Sequence, residues 1–112
     1  MRIAIPLAQG QLCQHFGHCE EFAIVDVNSQ EKCVSGIHRE VPPPHAPGVL
    51  PQWLGQQKVN VVIAGGMGSR AQTLFAENGI QVVTGATAGG PEEIVAAYLS
   101  GTLQTGANIC DH

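Results

Sequence analysis

Apolar positions recur in two rhythms along the chain, and the switch between them lays out the expected elements. Residues 2–7 form a short β-rich run closed by Pro6, and the polar residues 8–11 follow as loop. Residues 21–28 (EFAIVDVN) and 32–41 read as two more strands. Only Ser29, Gln30 and Glu31 join them, so they are expected to pair antiparallel as a hairpin. Pro42, Pro43, Pro44 and Pro47 then hold the chain extended.

From there the helical period takes over. Leu50, Trp53 and Leu54 fall at helical spacing behind Pro51, which predicts a short helix ending near residues 55–57. Residues 59–64 (VNVVIA) are almost continuously apolar and rich in β-branched side chains, as in a strand buried on both faces. Ser69 with Gln72 three residues on reads as a capping box, Ala71, Leu74 and Phe75 as one apolar stripe, and Gly79 as the stop. After a strand at residues 80–84, Pro91, Glu92 and Glu93 open a last helix with Ile94, Val95, Tyr98 and Leu99 inward and Gly101 at its end. Residues 102–112 read as an irregular tail.

The order βββαβαβα predicts an α/β fold: a mixed five-stranded sheet flanked by helices, with an antiparallel hairpin on one side and right-handed crossovers on the other. Strands 2–7, 32–41, 59–64 and 80–84 then run the same way. Their outgoing loops, residues 8–20, 42–48, 65–68 and 85–90, gather at one C-terminal edge, where open α/β sheets bind ligands.

Composition narrows what such an edge could hold. The 112 residues suit a single domain spanning 1–112, and 44% apolar content is enough for a core. The net charge is −4, and the cations Arg2, Lys32, Arg39, Lys58 and Arg70 are scattered singly, which excludes a phosphate-binding stripe and makes nucleic acid and anionic membranes poor partners. No apolar run approaches the roughly 18 residues of a membrane span, and residues 1–7 lack the features of a secretion signal, so a cytoplasmic location is expected. Against 12% charged residues stand four cysteines and five histidines. In a reducing compartment those thiols are expected free or metal-bound.

Four of the nine lie together. Cys13, His15, His18 and Cys19 occupy seven residues (CQHFGHC) on the first loop, and thiolate with imidazole at this density suits zinc, copper, a late first-row metal or an iron-sulfur cluster. The spacing is not that of a zinc finger, so the element stays open. His45, held among prolines at the same edge, is either an outer ligand or a solvated loop imidazole. Cys110 and His112 either complete the shell from the tail or stay apart from it. Cys33, within a strand, reads as a buried structural thiol, and His38 as a surface residue.

Gly65, Gly66, Met67 and Gly68 lie between a buried strand and a helix, offering amides to an anionic group. Gly66, Gly68 and Ala71 also satisfy G-x-G-x-x-A, but Thr84 and Gly85 stand where a ribose-binding acid would close the next strand, which argues against a dinucleotide. No carboxylate pair, Ser-His-Asp order or nucleophile elbow can be assembled, and a Cys19 nucleophile with His15 or His18 has no oxyanion hole nearby, so the protein is expected not to be an enzyme.

The segments HFGHCEEF (residues 15–22), VIAGGMGSRAQTLFAENGIQVVTG (residues 62–85) and the final CDH resemble the dinitrogenase iron-molybdenum cofactor biosynthesis family. That family includes carriers of nitrogenase cofactor precursors and a small orange protein holding a molybdenum-copper sulfide cluster. The resemblance implies a ribonuclease-H-like sheet and a non-enzymatic carrier of a metal-sulfur cluster, iron-sulfur or molybdenum-containing, in cofactor assembly. Cys13, Cys19 and Cys110 suit this chain to direct ligation. By the same analogy, an iron-sulfur assembly ATPase or a cofactor maturase is the expected partner. Nuclease activity is not implied, because residues 2–7 carry no carboxylate for a two-metal site. Too few thiols per chain for a four-ligand cluster suggest a homodimer sharing the site. The alternative is a metal- or redox-sensing interaction module with a zinc-type site.

Overall fold

The computed structural model describes residues 1–12, 20–28, 30–31, 33–43, 49–84, 86 and 90–101. Among them the order is β1 (Arg2–Ala8), β2 (Gln11–Leu12), β3 (Glu21–Asn28), β4 (Cys33–Glu40), α1 (Val49–Gln56), β5 (Val61–Ile63), α2 (Ser69–Glu77), β6 (Gln81–Val83) and α3 (Pro91–Ser100). The strands form one mixed sheet, ordered β4-β3-β1-β5-β6, with β2 beside β1. β3 is antiparallel to β1 and β4, whereas β5 and β6 run parallel to β1. Four strands therefore end at a common rim, as their order along the chain requires.

Six strands replace the expected five because Gln11–Leu12, within the expected loop, pairs back on β1 as β2, while β1 itself runs through Pro6 to Ala8. Pro6 faces Phe22 within the β1–β3 ladder. Met1 and Val27 exchange hydrogen bonds of 3.1 and 2.8 Å, and the antiparallel alternation from that pair turns the peptide nitrogen of Pro6 away from β3. On its other edge β1 pairs with β5 at Ile3 and Ala4, then with β2 at Leu7 and Ala8. The proline, which has no proton to donate, sits between these two partners and breaks neither ladder. The β1–β2 turn is Gln9–Gly10, both at positive φ (55° and 80°), as a two-residue hairpin turn of the I′ kind needs.

Side chains alternate between two apolar layers. Ile3, Ile5, Leu7, Val25, Val61 and Ile63 pack on one face with Ile94 and Val95 of α3. Ala4, Phe22, Ile24 and Val62 pack on the other with Leu50 and Leu54 of α1 and Phe75 of α2. β5 is buried along its length, as the VNVVIA run predicts. Trp53 closes the second layer with its ring 5.7 Å from that of Phe22, edge to face. Gly79 and Gly101 follow α2 and α3 at φ 75° and 76°, the left-handed stops expected at those positions.

β4 is the outermost strand on its side of the sheet, with α3 close to it. It is mostly exposed, and its pairing with β3 shifts register between Asp26 and Val27, leaving Ser35 as the extra residue. Cys33 is exposed at its start rather than buried, because this end of the outermost strand lies outside the two apolar layers of the described residues. No helix among the described residues is long and apolar enough to cross a membrane.

Candidate functional site

The rim is shaped by a conflict between β2 and β5. Ile3 pairs with Val61 and Ala4 with Val62, so a straight β5 would bring Gly65 level with Leu7. Leu7 already pairs with Glu21 of β3 on one side and Leu12 of β2 on the other. The place beside it is taken, and the chain must leave the sheet. Ala64 keeps its bonds on the β6 side, donating to Val83 O at 2.8 Å and accepting from Ala86 N at 3.2 Å, so the departure begins at Gly65. Gly65, Gly66 and Met67 remain buried through this turn, and Gly68 is half-buried.

α2 starts directly from the turn. Gly68 is its N-cap in extended conformation (φ −64°, ψ 153°) and makes no side-chain cap bond. The predicted Ser69–Gln72 capping box does not form, because Ser69 is already the first helical residue. Gln72 instead sends Nε2 back to the carbonyl of Met67 at 2.9 Å, tying the turn to the helix. The first intrahelical donor in this turn is Gln72 N, to Gly68 O at 3.1 Å. The amides of Ser69, Arg70 and Ala71 have no carbonyl partner within the helix and carry its positive dipole end. Gln72→Ala should cost about 1 kcal/mol, read as a lowered urea midpoint with an unchanged slope, by releasing the Met67 carbonyl.

The residues that flank segment 13–19 are both fixed at Leu7. β2 runs antiparallel to β1, so Leu12 ends facing Leu7 on the β5 side. At the far end of the segment, Glu20 donates its amide to Leu7 O at 2.8 Å, and its carboxylate accepts Gln9 N at 2.7 Å. Departure and return are thus fixed on the two edges of one residue. Sequence reasoning missed both fasteners, β2 and Glu20; the signal was an acidic residue immediately after the Cys/His cluster.

The other segments with predicted ligands follow described residues at Pro43 and Gly101. β4 ends at the rim with Glu40, and the described chain continues from it to Pro43. The tail starts beyond Gly101, after α3 has carried the chain about 15 Å from Pro91. Cys13, His15, His18, Cys19, His45, Cys110 and His112 lie outside the described residues. Among the described residues no three His, Cys, Asp or Glu side chains come together to hold a metal ion. His38 is at the surface as expected, 3.1 Å from Glu40 Oε2. Arg2, bound to Asp26 at 2.7 Å and to Gln57 O at 2.6 Å, sits at the opposite end of β1 from the rim.

Comparison with known proteins places this architecture. An uncharacterised protein of Methanocaldococcus jannaschii is 29% identical over 107 residues, covering 93% of this chain and 90% of the relative. The crystal structure of the protein PH0822 superposes with a TM-score of 0.85 at 30% identity, covering 96% of this chain and 98% of the other. The apo form of the orange protein from Desulfovibrio gigas shares the fold at a TM-score of 0.68 and 22% identity, covering 96% and 93%. Residues 1–101 match the family described as dinitrogenase iron-molybdenum cofactor. With the glycine turn and the HFG segment falling within that match, the chain belongs to the dinitrogenase iron-molybdenum cofactor family.

Proposed function

We propose that the protein binds a metal-sulfur cluster, iron-sulfur or molybdenum-containing, as cargo at the rim and passes it on without catalysing a reaction of its own. The observation that carries this reading is that Leu12 and Glu20, which flank residues 13–19, are both fixed at Leu7. The sequence between them carries two thiols and two imidazoles, and Leu7 is the residue beside which β5 would place Gly65 if it ran straight. Cys13, His15, His18 and Cys19 supply soft and borderline donors suited to iron, molybdenum or copper with sulfide. The free amides at the start of α2 favour the negative charge of a sulfide-bearing cluster. A family centred on the iron-molybdenum cofactor supports the same class of cargo.

His45 joins from the segment after Pro43. Residues 102–110 can extend about 30 Å, more than the length of α3, so Cys110 and His112 have the reach to return to the rim. An iron-sulfur assembly ATPase or a cofactor maturase fits as donor or acceptor of the cargo. The carrier is read as one cytoplasmic domain on a ribonuclease-H-like scaffold, a reading supported by the β4-β3-β1-β5-β6 order with α1 and α2 on one face and α3 on the other.

Purification without oxygen, followed by an absorption spectrum and analysis of metal and acid-labile sulfide, tests the proposal. Visible sulfide-to-metal bands with stoichiometric iron or molybdenum are expected. Colourless protein holding zinc would replace the carrier with a zinc-type site. Protein that takes up no metal after anaerobic reconstitution would overturn both.

A further inference from the structure

Four large apolar side chains are exposed among the described residues, and three of them lie on or directly after β4: Val34, Ile37 and Val41, at 37%, 39% and 76% exposure. β4 is an outermost strand of eight residues, whereas the opposite outermost strand, β6, has three. Long, flat, partly apolar outer strands template pairing with another chain.

The hydrogen-bond phase of the sheet shows which residues face outward. The reciprocal Met1–Val27 pair directs the peptide groups of Val25 and Ala23 towards β1, and hence those of Asp26, Ile24 and Phe22 towards β4. Their partners Gly36, His38 and Glu40 face inward. Ile37, Arg39 and Val41 therefore turn their N–H and C=O groups to the open side. An antiparallel pair of β4 strands needs a two-fold axis, and these three residues are the outward positions on which one could fall. An axis at Ile37 runs the partner across the Ser35 bulge, and one at Val41 runs it across Pro42 and Pro43. An axis at Arg39 avoids both.

We infer that two copies of this chain pair through β4, antiparallel, about an axis at Arg39. Ile37 of each copy then faces Val41 of the other, covering the two most exposed apolar side chains of this edge. His38 of each copy faces Glu40 of the other, so opposite polar partners meet twice in non-hydrogen-bonded positions, where cross-strand side chains are closest. The two Arg39 side chains meet at the axis already matched, since each guanidinium binds Glu21 of its own chain at 3.2 Å. Pro42 comes opposite Gly36 and ends the ladder. Faces also agree: Ile37 and Arg39 lie opposite Val25 and Ala23 of the α3 layer, and His38 and Glu40 opposite Ile24 and Phe22 of the α1 and α2 layer.

The pairing does not depend on the cargo. Antiparallel β4 strands point the two rims in opposite directions, so this second copy adds no ligand to the site. Success or failure here is therefore separate from the carrier proposal.

Sedimentation of the full chain, metal-free and reduced, from about 10 μM to about 1 mM tests it, with a weak dimer expected from so short a ladder. Ile37→Lys and Glu40→Lys should each weaken association tenfold or more with an unchanged circular dichroism spectrum. His38→Glu combined with Glu40→Lys should restore it. Mild oxidation of Arg39→Cys should give a covalent dimer whose non-reduced digest links position 39 of one copy to position 39 of the other. A monomer throughout the range would overturn the inference, as when residues 102–112 or another protein cover this edge. So would a dimer indifferent to both lysine variants, or a cross-link that avoids position 39.

Discussion

Replacement of Cys19 by serine is expected to abolish the visible absorption and stoichiometric metal of the loaded protein, while Cys33→Ser leaves both unchanged. The contrast follows from position as well as chemistry. A serine hydroxyl does not ionise near neutral pH and is a hard, weak donor, whereas a thiolate is the ligand that iron-sulfur and molybdenum-sulfur centres require. Cys19 directly precedes Glu20, whose amide is fixed to Leu7 O at 2.8 Å, so its backbone stands one residue from an anchored point on the rim. Cys33 begins β4 opposite Asn28, at the end of that strand remote from the rim and roughly 23 Å from Glu40. Both variants should keep the circular dichroism of the parent, since Cys33 is exposed and outside the two apolar layers and serine differs from cysteine only by oxygen for sulfur. Full loading of the Cys19 variant would remove residues 13–19 from the ligand set, and with it the main support for a cluster carrier.

The parts of the fold that were legible in the sequence are those whose burial imposes a period. β3 occupies residues 21–28 as its alternation predicts, β5 lies inside the VNVVIA run, and α3 begins at Pro91 and stops before Gly101. β2 was not legible because two residues carry no period, and Gln9–Gly10 lacks the asparagine or aspartate that usually marks such a turn. Pro6 suggested an end to β1 because its tolerance depends on a change of neighbouring strand, which is a property of the sheet and not of the run. The same holds at α2. Ser69 and Gln72 have capping-box spacing, but Gly68 takes the extended cap position because the chain is already turning out of the sheet to avoid β2. For the site, strand directions alone located the rim and the glycine turn. The predicted ligands lie outside the described residues, and what fastens their segment, Leu12 and Glu20 on Leu7, comes from pairing across the sheet.

Met67→Ala should lower stability by about 2–4 kcal/mol, seen as a large drop in the urea midpoint with little change in slope. Met67 is 1% exposed and belongs to the layer of Phe22, Leu50, Leu54, Val62 and Phe75, so truncation leaves a cavity between the sheet and its helices. The position also has a consequence at the rim. The Met67 carbonyl accepts Gln72 Nε2 at 2.9 Å, so the buried side chain and this bond together hold the glycine turn against α2. Loosening the turn should weaken cluster loading more than Gln72→Ala does, since the alanine at 67 frees both the packing and the backbone it supports. Met67→Leu separates shape from sulfur. Leucine fills nearly the same volume and should cost less than about 1.5 kcal/mol. Retained loading in the leucine variant, with loss in the alanine variant, would assign Met67 to positioning the turn. Loss of loading in both, with stability kept in the leucine variant, would instead require the thioether itself, and the turn would have to be reassigned from amide cradle to ligand.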